Sequence, residues 1–372
     1  MDVGESMKQQ NELVMCLARH VFSSEAKKHA NIVFSPASIY SALTLVASAP
    51  SDPSVADEIL CFLKSSSTDE LKAVFTDIVS LVYTGRNAKG GPVISSVNGV
   101  WIEKTLSLFK DLLENFFKAA FKLVDFISSA EEVRVEVNSW VQERTNDLIK
   151  DLLPPGSVTN ETERVYANAL YFKGTWQTPF DDYDTRKRKF YLLNGSTVSV
   201  PFMTSDEDQY IAAYDGFKVA RLPFQGGRGD TNCTFAMYFY LPRKKDGLDN
   251  LVERIATTPG FLDAHIPSCE FKVGIFTIPK FEISFGFLVS EVFSQLGLDS
   301  NKLYHKACIR IDESGVEAAA ATADEACGCY LGMEPPKRIY FVANKPFIFL
   351  IREDTTGTVL FVGQIFDPSQ SS

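Results

Sequence analysis

The hydrophobic period of this chain changes once, near residue 164, and no linker marks the change. Beyond it, "RVYANALYFKGTW" (164–176), "FAMYFYLP" (235–242), "FKVGIFTIPKFEISFGF" (271–287), "HKACIRI" (305–311), "RIYFVANKPFIFLI" (338–351) and "GTVLFVGQIF" (357–366) all read as strands. β-Branched and aromatic residues dominate each run and suit a pleated surface. "EDTTG" before Thr358 is a hairpin turn, and one helix, around "LVSEVFSQLGL" (288–298), interrupts the strands. Before residue 164 the pattern is mostly helical. Residues 8–25 carry Leu13, Cys16, Leu17, His20 and Val21 at helical spacing, on one face. "NIVFSPASI" (31–39) is a short strand stopped by Pro36 and followed by a helix. Ser67 with Glu70 forms a capping box ahead of a stripe of Leu71, Val74, Phe75, Ile78 and Val82 that ends before Gly85. Ser129 with Glu132 forms a second, ahead of Val133, Val137, Trp140 and Val141. Helices first and strands later, with no Gly/Ser/Pro linker and no repeat, predict one α+β domain over residues 1–372.

With 45% apolar and 23% charged residues in 372, the make-up is that of a globular protein with a large core. A formal net charge of -10 argues against nucleic-acid or heparin binding, so the basic run "TRKRKF" (185–190) reads as a solvated strand or turn. No apolar run approaches the ~18 residues of a membrane span, and no membrane partner is expected. Met1 to Asn11 is polar and acidic, without the charged-then-apolar pattern of a signal peptide. The seven cysteines (16, 61, 233, 269, 308, 327 and 329) are odd in number and scattered. Both features point to a cytoplasmic or nucleocytoplasmic location, with action outside the cell left open. In that compartment the sequons at Asn160, Asn194 and Asn232 carry no glycan, and the "RGD" at 228–230 is a chance loop tripeptide.

Motifs that carry catalysis are missing. There is no phosphate-binding glycine loop, no Gly-x-Ser-x-Gly elbow, no His-Glu-x-x-His and no Cys-x-x-Cys. Only 4 histidines are available for acid–base or metal work. Cys327 and Cys329 stand one residue apart, beside Asp324 and Glu325, but lack the second ligand pair of a structural zinc site. A redox role stays open for them, although their spacing strains an intramolecular disulfide. The expectation is no metal, no cofactor and no enzymatic activity.

Between two strands the chain places "GVEAAAATADEACGCYLGMEPP" (315–336), some twenty residues with no large aliphatic run. Its alanines suit a surface helix. They also suit a strand that must fit between two close neighbours. In strand form Val316, Ala318, Ala320, Thr322 and Asp324 point one way, and Glu317, Ala319, Ala321, Ala323 and Glu325 the other.

"DESGVEAAAATA" (312–323) resembles the hinge of a serpin reactive-centre loop. "NIVFSPASI", "ANALYFKGTW", "HKACIRIDESG", "NKPFIFLI" and "GTVLFVGQIFDP" resemble further serpin signatures, in the right order along nearly the whole chain. "SVNGVWIEK", "PFMTS", "AYDGFKV" and "TPGFLDAHIP" resemble the plant branch of that family. The resemblance implies three β-sheets, about nine helices and an exposed reactive-centre loop at about 313–336. It implies a monomer that inhibits a serine endopeptidase, with cysteine proteases as a second class. The protease cuts the loop and forms an acyl-enzyme, and the cut hinge enters the central sheet as a new strand before the ester is hydrolysed. The partner is thus the target endopeptidase, held covalently.

Carried over residue by residue, the hinge is Glu313, Gly315, Val316, Glu317, Ala318, Ala319, Ala320, Ala321 and Thr322, and the reactive bond is Cys329–Tyr330. Ser35, Ser38, Asn168 and His305 match the shutter that controls sheet opening, and Trp176 matches the breach where insertion starts. Three features depart from the family pattern. "LGLDSNKLYHKAC" lacks a stretch usual before His305, including a short helix and the beginning of the strand leading into the loop. "VASAPSDPSVADEIL" carries two prolines, and acids at 324 and 325 with Cys329 do not suit a trypsin-like target. Two alternatives therefore stand beside inhibition: a non-inhibitory serpin that binds or stores, and a thiol sensor using Cys327 and Cys329.

Overall fold

Branched and aromatic runs become three β-sheets in the computed structural model, which describes residues 3–23, 29–49, 53–83, 91–106, 110–227, 234–292, 301–316 and 339–370. The large sheet runs Ile32–Phe34, Val359–Ile365, Phe347–Glu353, Phe235–Pro242, Phe217–Pro223, Gln209–Tyr214, Glu270–Phe271. Phe235–Pro242, Phe347–Glu353 and Val359–Ile365 are buried at every position, so they read as near-continuous apolar runs, in which Arg352, Glu353 and Gln364 are buried with the rest. The small sheet runs Ile339–Val342, Val273–Pro279, Thr197–Ser205, Arg186–Tyr191. Its last strand is the basic run, whose first four residues are exposed, a solvated strand as expected.

The central sheet runs Phe281–Leu288, Asn301–Asp312, Gly315–Val316, Arg164–Thr175, Val93–Glu103, Ala120–Val124. Two of its strands fall in the half that reads as helical. In Val93–Glu103 the polar Ser95, Ser96 and Asn98 break up the apolar signal, although Val97, Val100, Trp101 and Ile102 are buried. The strand leading into the hinge is Asn301–Asp312. It pairs with Phe281–Leu288 and, in parallel, with Arg164 onward; residues 293–300, where the sequence is short of the family pattern, lie outside the described residues.

Helices cover both faces of the central sheet. Phe126–Arg144 lays Phe126, Val133, Val137 and Val141 on one face, against Val97, Trp101, Val165, Ala167 and Tyr304. It starts earlier than the Ser129/Glu132 box implies. The Asp125 carboxylate accepts the Ser128 N–H at 2.9 Å, Glu103 accepts the Phe126 N–H at 2.7 Å, and Ser129 sits at a kink (φ -138, ψ 35). Acids fixed by the sheet edge outcompete the serine. The other box forms, with one adjustment: Ser67 Oγ accepts the Glu70 N–H at 3.2 Å, while the Glu70 carboxylate takes the N–H of Ser66 instead of Ser67. In Val3–Ser23 the buried arc includes Leu13, Leu17 and Val21 but continues through Met15, Ala18 and Phe22, which leaves Cys16 and His20 exposed at its margin. Pro53 opens the helix Pro53–Phe62, the one position where a helix tolerates proline freely. No helix among the described residues is long and apolar enough to cross a membrane.

Candidate functional site

At mid-sheet, a short polar network joins a helix to the two strands it underlies. Pro36 starts the helix Pro36–Ser48, and Ser35 caps it, its Oγ accepting the Ser38 N–H at 3.2 Å. Every residue from Pro36 to Ala47 is buried, which drives the capped end beneath the central sheet. There the Ser35 N–H donates to His305 Nε2 at 3.0 Å. Because Nε2 accepts, the ring proton sits on Nδ1, which donates to Asn168 Oδ1 at 2.7 Å. Ser38 Oγ donates to the same oxygen at 2.9 Å. The Asn168 amide donates to Ser38 O at 3.1 Å and to Asn98 Oδ1 at 2.6 Å. Ser35, Ser38, Asn168 and His305, the four expected shutter residues, are thus brought together, and all are buried. Asn98 joins them unforeseen; it faces Asn168 across an antiparallel pair, while His305 faces it across a parallel one. The network bolts Arg164–Thr175 to Asn301–Asp312, and each group orphaned by a deletion costs about 1–3 kcal/mol.

Burial holds His305 neutral, pushing its pKa from the ordinary 6.5 to about 3. A depressed histidine pKa means that the unfolded chain takes up the proton first. Its contribution to stability is complete above pH 6.5 and is lost as pH falls toward 3, by up to ~1.4 kcal/mol per pH unit. Unfolding midpoints measured between pH 7 and 5 are therefore expected to drop, and His305→Gln is expected to flatten that slope. Parallel slopes for the two proteins would remove His305 from the account.

The second place is the top of the same sheet. Asn301–Asp312 and Arg164–Thr175 pair over seven rows, from Asn301↔Arg164 to Ala307↔Leu170. Above this the strands diverge, and Gly315–Val316 stands between them. It pairs antiparallel with both, Val316 with Ile311 and Gly174, Gly315 with Asp312 and Thr175. A turn returns the chain into this slot, with Asp312 Oδ1 accepting the N–H groups of Ser314 (2.9 Å) and Gly315 (3.3 Å). Gly315 has φ +148, and a Cβ there would lie 2.1 Å from Gly174 O, so only glycine fits. Val316 is fully buried, in the cluster that holds Trp176, Phe172 and Ile311.

Trp176, the expected breach residue, stands at this junction. Its N–H donates to Ser314 O at 2.9 Å, its Nε1–H to Asp312 O at 3.0 Å, and its ring stacks on Phe224. Glu313 anchors the turn from the other side. Its side chain, 8% exposed, takes Lys280 Nζ at 2.5 Å and the Thr185 hydroxyl at 2.7 Å on its carboxylate. Burial alone would raise its pKa, but the bonds from Lys280 and Thr185 outweigh it and hold the carboxyl below its usual range. Lys280 and Thr185 escape a sequence reading, although Lys280 is the lone cation inside the apolar run "FTIPKFEI".

Glu317, Ala318, Ala319, Ala320, Ala321 and Thr322, the Cys329–Tyr330 bond and Cys327 lie outside the described residues. Among the described residues no group of His, Cys, Asp and Glu could hold a metal ion.

Comparison with known proteins matches this geometry. The family described as Serpin (serine protease inhibitor) matches residues 8–368. Serpin-Z1 of Arabidopsis thaliana is 61% identical over 99% of this chain and 97% of its own length. From the same plant, a protein named "Probable non-inhibitory serpin-Z5" is 58% identical over 99% of this chain and 86% of its own. Among solved structures, Arabidopsis AtSerpin1 in its native stressed conformation superposes with a TM-score of 0.88 at 45% identity, covering 100% of both chains. Three sheets, a split central sheet and a hinge turned into the split are carried by a sequence of that family throughout: the chain belongs to the serpins, the serine protease inhibitor family.

Proposed function

We propose that this protein is a suicide-substrate inhibitor of serine endopeptidases, with cysteine endopeptidases as a second class, and not a catalyst. One observation carries the reading: Gly315 and Val316 already occupy the first two places of a strand between Arg164–Thr175 and Asn301–Asp312. The protease nucleophile attacks the Cys329 carbonyl, the bond to the Tyr330 nitrogen breaks, and an ester holds the enzyme on the new C-terminus. Insertion continues downward from Val316, parting seven parallel rows and replacing them with two antiparallel ladders. The enzyme is carried away with the hinge, and its oxyanion hole is distorted before water can cleave the ester. We place the protein's action in a cytoplasmic or nucleocytoplasmic compartment, on the odd number and scatter of its seven cysteines along the sequence.

The relative named as non-inhibitory supports a second reading, in which the fold is kept and the loop is merely a substrate. A panel of chymotrypsin, trypsin, subtilisin and papain separates the two. Inhibition gives an adduct that survives SDS and a released peptide beginning at Tyr330, both read by mass spectrometry. Complete turnover with every enzyme leaves the binding or storage reading.

A further inference from the structure

Although the chain carries a net charge of -10, four cations gather on one surface, with the exposed Asp215 and Asp246 at its margin in sequence. Strand pairing sets Lys218 opposite Leu241, two residues before Arg243, and the Arg243 N–H donates to Gly216 O at 2.8 Å. Lys345 Nζ donates to the Arg243 carbonyl at 2.7 Å. Lys245 lies over the Tyr191 ring at 4.1 Å, and the Tyr191 N–H donates to Asn344 O, next to Lys345. Lys218 Nζ donates to Tyr340 O at 2.6 Å. Among the described residues none of these four cations is in an ion pair within 4 Å; the acids that are paired are paired elsewhere. Burial, then the charge of Arg243, lowers the Lys218 pKa; burial, then Lys218 and Lys245, lowers that of Lys345. The group is therefore close enough to repel itself, which is the condition an anionic partner relieves.

An ordered apolar centre goes with the charge. Tyr340, 52% exposed, pairs with Ile275, 41% exposed, across parallel strands. Its ring lies on Gly274, where a Cβ would come within 2.6 Å of it, so the ring is fixed before any partner arrives. An aromatic anchor with a charged rim is the anatomy of a protein interface.

Position selects the partner. Tyr340 follows Tyr330 by ten residues, which span at most ~35 Å when fully extended. An endopeptidase of about 220 residues has a radius of gyration near ~17 Å, hence a body about 40 Å across, wider than that tether. An enzyme seated on the reactive bond thus overhangs the strand that returns from the loop. We infer that the cationic surface of Lys218, Arg243, Lys245 and Lys345 around Tyr340 is where an endopeptidase engaged on the loop lays an acidic face. This rests on the loop being the protease's target, whether as inhibitor or as substrate.

The readout is the second-order rate at which each enzyme of the panel consumes intact loop, a quantity that exists for trapping and for turnover alike. Adduct formation judges inhibition; the rate judges the surface. Lys218→Gln/Lys245→Gln/Lys345→Gln is expected to slow the fastest enzyme about tenfold at low salt and to flatten its salt dependence, with the adduct-to-turnover ratio unchanged. The exposed substitutions Arg243→Gln/Lys245→Gln, which touch no hydrogen bond made by Lys218 or Lys345 side chains to their carbonyls, should do the same in part, and Tyr340→Ala should slow consumption at all salt concentrations. Equal rates and equal salt slopes for every variant and every enzyme overturn the inference. So does a variant that loses retention on a heparin column while its rates stay at the wild-type value, since the patch would then serve polyanions.

Discussion

Nicking the reactive loop between Asp324 and Tyr330 is expected to raise the melting midpoint by about 20 °C. Continuing from Val316, a strand of about ten residues would pair on both sides and form about twenty backbone hydrogen bonds, against about seven lost when Asn301–Asp312 parts from Arg164–Thr175. At ~1 kcal/mol net for each bond, the gain is on the order of 10 kcal/mol. Each kcal/mol moves the midpoint of a chain this large by about 2 °C. The intact loop cannot collect this, because its far end is tied into the small sheet through Ile339–Val342. On the inhibitory reading the native state would thus be held by a barrier. The measurement is a thermal scan of intact and nicked protein after brief warming. An unchanged midpoint would show that the hinge stays outside the sheet, and the inhibitory reading would fall with it.

On the inhibitory reading, Gly315→Val is expected to turn the protein from an inhibitor into a substrate. The new Cβ would lie 2.1 Å from Gly174 O and 2.8 Å from Thr175 Cα, at a φ that β-branched residues do not adopt. Backbone on that side is held close by: the Thr175 carbonyl accepts the Gln225 N–H at 2.8 Å, and the ladder with Val93–Glu103 begins one residue before Gly174, at Lys173. The stub leaves its slot and insertion loses its start. Insertion races deacylation, and each ~1.4 kcal/mol on its barrier slows it tenfold. One clash of this kind is enough to move the inhibitor molecules consumed per enzyme trapped from near one to about ten or more. Ser314→Ala, one residue earlier and half-exposed, is the control. Wild-type stoichiometry in Gly315→Val would mean that the slot is not the entry point.

Much of this was legible before any coordinates, and the gaps share a cause. Strands buried on both faces announce themselves as apolar runs, and Phe235–Pro242, Phe347–Glu353 and Val359–Ile365 were all visible. Val93–Glu103 was not, since Ser95, Ser96 and Asn98 interrupt its apolar residues in the sequence. Ser35, Ser38, Asn168 and His305 could be named from the family resemblance, but their meeting depends on register: only a parallel pairing of His305 with Asn168 brings three distant segments to one point. Asn98 completes the network through the same register and leaves no mark in its own neighbourhood. Glu313 was named as hinge; its partners Lys280 and Thr185 come from two other segments and are set by the turn, not by spacing. Caps follow the same rule. Ser67, whose partners are local, was placed correctly, whereas Ser129 yielded to Asp125 because that end of the helix is fixed by contacts with the sheet.

The register at the top of the central sheet also makes a clock. With Val316 opposite Gly174 and Ile311, each later hinge residue would arrive one row further down, so place along the sheet becomes order in time. Glu317 to Ala319 would come first, at rows where the strands have already diverged. Ala320 and Ala321 would break the first two closed rows, and Thr322 would reach the row of Asn168 and His305. Only then must the buried imidazole and amide give up their partners, and a residue with a hydroxyl is the one arriving. Asp324 would come two rows later, between Tyr166 and Leu303, both buried. If the hinge inserts, a substitution early in it would therefore decide whether the race begins, and one at the shutter or below would decide how it ends.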